Sequence, residues 1–203
     1  NGEGRAAGKL AAFIRFTGCN LACSYCDTMW ANAPVAADRA ERVSVADLVA
    51  WACETRVECV TLTGGEPALQ PALPSLVCAL LAEPGPLERG LRVEIETNGA
   101  ADLRELAQLR EECASLPGSL TFTVDWKLPS SGMEDRMLRE NFALLDARDT
   151  VKFVCGGEGD LRRMLEVSRE LGLPDRVSVY LSPVFGRLSP ARIVDFMQEN
   201  NLT

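Results

Sequence analysis

Three cysteines fall within eight residues in "CNLACSYCDT", at Cys19, Cys23 and Cys26, directly after the apolar run "AAFIRFTG". An odd number of closely spaced thiols narrows the chemistry. A closed structural zinc site takes four ligands, a disulfide framework needs pairs, and a catalytic thiol needs a base beside it. Three thiolates on one short loop can instead hold three corners of a 4Fe-4S cube and leave the fourth iron without a protein ligand, whereas an electron-transfer cluster closes with a fourth cysteine. Cys53 is the nearest such residue in sequence, and it falls inside a predicted helix. On spacing alone a cluster, a zinc site that recruits a distant cysteine, and three unrelated thiols all stay open.

The second chemical signal is "LTGGEP", in which Gly64 and Gly65 allow close backbone approach to a ligand and Glu66 sets a carboxylate beside a helix start. Alone it reads as a turn. One strand-helix-strand step after CxxxCxxC, it is far more specific.

The whole composition removes competing chemistries. No histidine occurs in the 203 residues, so the commonest general base, the usual zinc partner of cysteine and every Ser-His or Cys-His nucleophile are absent. A formal charge of −8 disfavours a nucleic-acid partner, because counterion release needs a concentrated basic surface. No apolar run approaches the ~20 residues of a membrane span and no signal segment opens the chain, so the expectation is a soluble cytoplasmic protein without a membrane partner. Cys53, Cys59, Cys78, Cys113 and Cys155 lie in apolar segments and read as ordinary buried thiols of a reducing compartment.

Behind these residues stand the elements that must position them. Strand-like runs "AAFIRF", "CVTLTG", "LRVEIET", "LTFTVDW", "TVKFVC" and "VSVYLSP" alternate with helix-compatible stretches. The first helix is announced by Ser44 with Asp47 three residues on, and others are predicted over 71–81, 102–114, 134–145, 159–171 and 190–198. Strands that recur with helices between them imply right-handed crossovers and a parallel sheet. Six units are too few for a full eight-fold barrel and suit a partial, open TIM-type barrel, an α/β fold occupying 1–203 as a single domain. Reactive groups in such folds collect at the C-terminal ends of the strands. Those ends carry Thr17-Gly18-Cys19, Thr63 to Pro67, Glu96 to Gly99, Asp125-Trp126-Lys127 and Ser182-Pro183-Val184.

The combination of CxxxCxxC after strand one with GGEP after strand two resembles the radical S-adenosylmethionine (SAM) superfamily. "NGEGR", "FIRFTGCN", "CDT", "TGGEP", "ETNG" and "LSPVFG" extend the match, and together resemble the 7-carboxy-7-deazaguanine synthase family over nearly the whole chain. The resemblance implies that SAM chelates the open iron of a cluster held by Cys19, Cys23 and Cys26, and that one electron from a flavodoxin- or ferredoxin-type donor yields a 5′-deoxyadenosyl radical. The implied reaction is a lyase step of queuosine biosynthesis: 6-carboxy-5,6,7,8-tetrahydropterin contracts its ring, loses ammonia and becomes 7-carboxy-7-deazaguanine. The implied SAM contacts are Tyr25, Asp27, Gly65, Glu66, Asn98, Asp125, Lys127, Ser182, Pro183, Val184 and Phe185. The implied substrate contacts are Asn1, Gly2 and Glu3, Arg15 toward the pterin carboxylate, and Thr63. Thr28 of Cys-Asp-Thr is implied as a magnesium ligand, with Asp27 as a competitor, and a homodimer is the implied assembly.

Several features depart from the family pattern. The chain starts at Asn1 inside a motif and both termini read as truncated relative to the family. "NGEG" replaces the commoner "QGEG", and "SSGMED" looks like an inserted turn, which leaves room for a different substrate. Two other readings remain: a radical SAM enzyme that activates a partner protein by installing a glycyl radical, and a zinc- or cluster-binding module without turnover. In the first, Glu3, Arg15 and Thr28 are dispensable; in the second, anaerobic reconstitution gives no dithionite-dependent cleavage of SAM to 5′-deoxyadenosine.

Overall fold

The computed structural model describes residues 4–32 and 34–202. Six strands form one sheet: β1 (Ala11–Phe16), β2 (Cys59–Gly64), β3 (Arg92–Thr97), β4 (Ser119–Trp126), β5 (Thr150–Cys155) and β6 (Ser178–Pro183). Every pairing is parallel and the spatial order equals the sequence order, so β1 and β6 are free edges and the barrel stays open. Sequential order is what repeated right-handed crossovers generate.

The strands show a sharp period-two division. Ile14, Val60, Leu62, Val93, Ile95, Phe122, Val124, Val151 and Phe153 are buried in the core they share with the helices. The alternate positions carry Arg15, Thr61, Thr63, Glu94, Glu96, Thr123, Asp125 and Lys152, and all of these but the fully buried Thr61 line cavities on the sheet's concave side. Successive strand residues face opposite ways, so one sheet supplies an apolar outer face and a polar lumen. A polar lumen leaves room for a polar guest, where a full barrel fills it with branched apolar side chains. Each fully buried Leu or Phe on the outer face contributes about 1.5–3 kcal/mol.

The helices covering that face are α3 (Val45–Glu54), α4 (Leu73–Ala82), α5 (Arg104–Glu112), α7 (Glu158–Glu170) and α8 (Pro190–Glu199). Ser44 caps α3 as expected, accepting the Asp47 N–H at 3.1 Å and donating to the Asp47 carboxylate at 2.6 Å. Two expectations are corrected. The first helix is not the one that Ser44 announces: short helices α1 (Met29–Asn32) and α2 (Pro34–Arg39) precede α3. The helix expected over 134–145 is broken into a 3-10 turn (Glu134–Arg136) and the short α6 (Arg139–Ala143), with Met137 and Leu138 extended between them. The buried Asn141 explains why this segment serves a neighbour rather than its own helix. Its amide donates to Gly99 O and Ala101 O and accepts from Leu103 N–H, so it braces the loop after β3.

Candidate functional site

A cavity of about 640 Å³ opens at the C-terminal ends of the strands. The loop after β1 enters it first. Cys19, Cys23 and Cys26 all line the cavity and are half-buried, and none of the other five cysteines lines it. Two neighbours hold this loop. Ser24 donates its hydroxyl to Ser130 O at 2.7 Å and its N–H to Ser131 O at 3.0 Å. Gly65 N–H donates to Phe16 O at 2.8 Å and Glu66 N–H to Gly18 O at 2.7 Å.

That second contact gives the glycine pair a role beyond ligand approach. A Cβ on Gly64 would stand 2.2 Å from Phe16 O, and one on Gly65 would stand 1.8 Å from Gly18 O. Only glycines let the loop after β2 lie this close to the backbone of the cysteine loop. Gly65 also lines the cavity.

Glu66 differs from expectation. It is fully buried and does not line the cavity. Its carboxylate accepts from the Thr97 hydroxyl at 2.7 Å, from Asn98 N–H at 2.7 Å and from Ala68 N–H at 3.0 Å. Burial pushes its pKa up and the three donors oppose the rise. The residue therefore joins two loops. Glu66 followed by Pro67 is an N-cap followed by proline at the first position of a turn, a signal already present in the sequence.

The bracing continues into the cysteine loop. Asn98 donates its amide to Asn20 Oδ1 at 2.8 Å and to Cys19 Sγ at 3.4 Å, and Asn20 donates to Ala100 O at 2.9 Å. Thr28 Oγ1 stands 3.5 Å from Cys26 Sγ, and its carbonyl accepts Ala31 N–H at 2.8 Å as α1 begins. Tyr25 donates to Val154 O at 3.3 Å, and burial raises its pKa.

The far wall is charged. Lys127 Nζ meets Asp125 Oδ2 at 2.5 Å, and Lys152 Nζ lies 3.4 Å from Asp125 Oδ1. Burial pushes Asp125 up, and Lys127 and Lys152 more than offset it, so its pKa ends below the usual range. For Lys127 burial acts downward and Asp125 outweighs it, holding the ammonium charged. Cys23 is raised by burial, against the pull of Lys127.

The structure thus brings together on one cavity Arg15, Tyr25, Asp27, Thr28, Thr63, Gly65, Asn98, Asp125 and Lys127, with Ser182, Pro183, Val184 and Phe185 after β6. Asn1, Gly2 and Glu3 lie outside the described residues. Sequence reasoning gave no role to Glu96, Lys152, Asn32 and Arg187, which also line the cavity. The signal for two of them was a charged residue at alternate positions of "RVEIET" and "TVKFVC", where a purely structural strand has no use for one.

Comparison with known proteins follows the same residues. The family model described as the radical SAM superfamily matches residues 13–125. The 7-carboxy-7-deazaguanine synthase of Clostridium acetobutylicum is 43% identical over 202 residues, covering 100% of this chain and 85% of that protein. The 7-carboxy-7-deazaguanine synthase of Methanospirillum hungatei is 32% identical over 201 residues, covering 99% of this chain and 75% of that protein. Among solved structures, QueE from Escherichia coli superposes with a TM-score of 0.69 at 22% identity, covering 100% of this chain and 87% of that one. SuiB of Streptococcus suis, solved with S-adenosylmethionine, superposes with a TM-score of 0.58 at 13% identity, covering 95% of this chain and 45% of that one. The two structural matches speak to the fold alone.

Proposed function

Because the chain belongs to the radical SAM superfamily and, within it, to the 7-carboxy-7-deazaguanine synthases, we propose that this cavity is where it converts 6-carboxy-5,6,7,8-tetrahydropterin to 7-carboxy-7-deazaguanine with loss of ammonia. The observation that carries the reading is the cavity that gathers three thiols, the Gly64-Gly65 pair and a charged lumen at one sheet end. Membership implies a 4Fe-4S cluster and SAM, and the donor set fits both. Three thiols face the cavity without a fourth, which leaves one iron open for SAM. Asn32 Oδ1, next to Gly65, is buried without a hydrogen-bond donor, and the SAM ammonium group is a donor of the right kind.

In this proposal Cys19, Cys23 and Cys26 hold the cluster, and cluster and SAM together supply the hydrogen-abstracting radical chemistry. The chain's own residues do the rest. Tyr25, Gly65, Asn98, Asp125, Lys127 and the segment 182–185 surround SAM, while Glu66 acts through Asn98 as a positioning residue. Arg15 and Thr63 stand on adjacent strands at the same register position. The Arg15 guanidinium suits the pterin carboxylate, and the Thr63 hydroxyl serves the ring. Glu96 and Lys152 extend the polar wall around the ring.

Magnesium is the finer part of the proposal. Thr28 and Asp27 both line the cavity and offer oxygen donors, and a hard cation with few protein ligands draws its remaining oxygens from substrate and water. The electron donor in this reading is a flavodoxin- or ferredoxin-type protein, the working unit is a homodimer and the compartment is the cytoplasm. Among the described residues no helix is long and apolar enough to cross a membrane.

The test is dithionite-dependent cleavage of SAM to 5′-deoxyadenosine by anaerobically reconstituted protein, with and without the pterin and magnesium. Cleavage is expected to couple to the pterin, with a magnesium requirement that Thr28→Ala raises. Cleavage indifferent to both additions would remove the substrate and metal assignments together.

A further inference from the structure

The outer face of the sheet carries a second thiol site, far in kind from the cluster loop. Cys78 in α4 and Cys113 at the C-cap of α5 bring their sulfurs to 3.6 Å. Both are free, Cys113 nearly fully buried and Cys78 half-buried. No other cysteine pair among the described residues makes a recorded thiol–thiol contact. Cys113 also lines a separate cavity of about 490 Å³ at the N-terminal ends of the strands, large enough to admit a small reagent beside this residue.

Their position in the fold sets this pair apart from ordinary packing. Helix α4 follows the loop of Gly65 and Glu66, and α5 follows the loop of Thr97 and Asn98. At the cavity end these two units are joined by Glu66 to Thr97 and Asn98. Toward the opposite end they meet at Cys78 and Cys113. A bond there would close the same two units at both ends.

We propose that Cys78 and Cys113 are a modification site: a reversible disulfide, formed by a small hydroperoxide, that staples the unit of the GGE loop to the unit of Asn98. Cys113 sulfur attacks hydrogen peroxide, the O–O bond breaks, and the sulfur keeps one OH as sulfenic acid while the other leaves as water. Cys78 sulfur then attacks that sulfur, the S–O bond breaks, and the departing hydroxide takes the thiol proton to leave as a second water. Two thiols lose two electrons and two protons, and one peroxide is reduced to two waters. A dithiol reductant reverses the bond by exchange.

Burial raises the Cys113 pKa, with Cys78 adding to the rise, so the pair reacts slowly at neutral pH and survives ordinary reducing conditions as thiols. Oxidation is thus a response to peroxide stress, the condition that also strips exposed iron-sulfur clusters. With the staple closed, the two loops that border the cluster and SAM keep their spacing while the cluster is rebuilt. The staple closes a loop of roughly 35 residues, which raises the melting temperature by roughly 10 °C for a chain of this size.

The experiment treats the reconstituted holoenzyme with hydrogen peroxide, alkylates remaining thiols, and maps peptides by mass spectrometry. Expected is a peptide pair joined through Cys78 and Cys113, lighter by two hydrogen atoms and released by dithiothreitol. In Cys78→Ser the same treatment should leave Cys113 as a sulfenic acid that dimedone traps. Oxidised wild type should melt about 10 °C above identically treated Cys78→Ser, and reduced samples of the two should have equal activity. Recovery of Cys78 and Cys113 as separately alkylated thiols, at a peroxide dose that oxidises Cys19, Cys23 and Cys26, would overturn the proposal. So would an unlinked Cys113 carried directly to sulfinic acid.

Discussion

The Glu66 carboxylate accepts the Asn98 backbone N–H at 2.7 Å, so the loop after β2 holds the loop after β3 through a buried, charge-assisted hydrogen bond. Asn98 in turn reaches Cys19 Sγ. The GGE motif therefore shapes the cysteine loop from two directions: its glycines touch the backbone after β1, and its glutamate sets the asparagine that touches the first cysteine.

Glu66→Gln tests that relation. The amide keeps the shape but turns an NH2 toward groups that are themselves donors, which leaves a buried donor unsatisfied at a cost of about 1–3 kcal/mol. The variant should melt lower, and its KM for SAM should rise while SAM analogues without the amino acid end bind as before. An unchanged melting temperature and an unchanged KM would show that the three bonds to Glu66 carry little.

Arg15 is exposed into the cavity, and its guanidinium lies 6.0 Å from the ring centre of Trp30. In the proposed reading, Arg15→Ala removes a charge-assisted contact to the pterin carboxylate worth about 1.5–3 kcal/mol. The KM for the pterin should therefore rise about tenfold to a hundredfold, with basal SAM cleavage retained. Equal loss of both activities argues against a substrate role for Arg15.

Asp125 gives a pH dependence with a definite sign. Its pKa is lowered in the folded protein by Lys127 and Lys152, so its contribution is complete above the unfolded aspartate value of about 3.9 and is lost as pH falls through the lower folded value. Asp125→Asn should cost about 3 kcal/mol at pH 7, because the largely buried Lys127 loses the carboxylate that it pairs with. Below about pH 4 the difference from the wild type should narrow. Urea titrations at pH 7 and pH 3 measure both, and a gap that widens in acid contradicts the pairing.

At the opposite end of the sheet the Arg110 guanidinium donates to both oxygens of Asp149 at 2.9 and 2.8 Å, and Asp149 also accepts Phe122 N–H and Asp146 N–H. Both side chains are buried. Arg110→Ala leaves a buried carboxylate without its counter-ion and should cost about 3–5 kcal/mol, read by chemical denaturation. Turnover per folded molecule should hold, since this pair stands apart from the upper cavity.

Most of the architecture was legible because strands report themselves locally. "AAFIRF", "CVTLTG" and "TVKFVC" coincide with β1, β2 and β5, and the capping pair Ser44 and Asp47 fixed the start of α3. What was hidden depends on partners distant in sequence. The apolar positions of 134–145 suggested one helix, yet Asn141 is drawn to Gly99, Ala101 and Leu103, which no local pattern encodes. Glu66 looked like a ligand because a carboxylate beside glycines is chemically suggestive; only the fold shows Thr97 and Asn98 waiting for it. Cys78 and Cys113 looked like independent core thiols, since 35 positions of sequence separate residues that the α4 and α5 packing brings together.

The most direct test of the central claim is mass spectrometry of the product formed by reconstituted protein given 6-carboxy-5,6,7,8-tetrahydropterin, SAM, magnesium and dithionite. The account predicts 7-carboxy-7-deazaguanine with an equal amount of ammonia, and neither from Cys23→Ala. Accumulation of 5′-deoxyadenosine with the pterin recovered unchanged would contradict it.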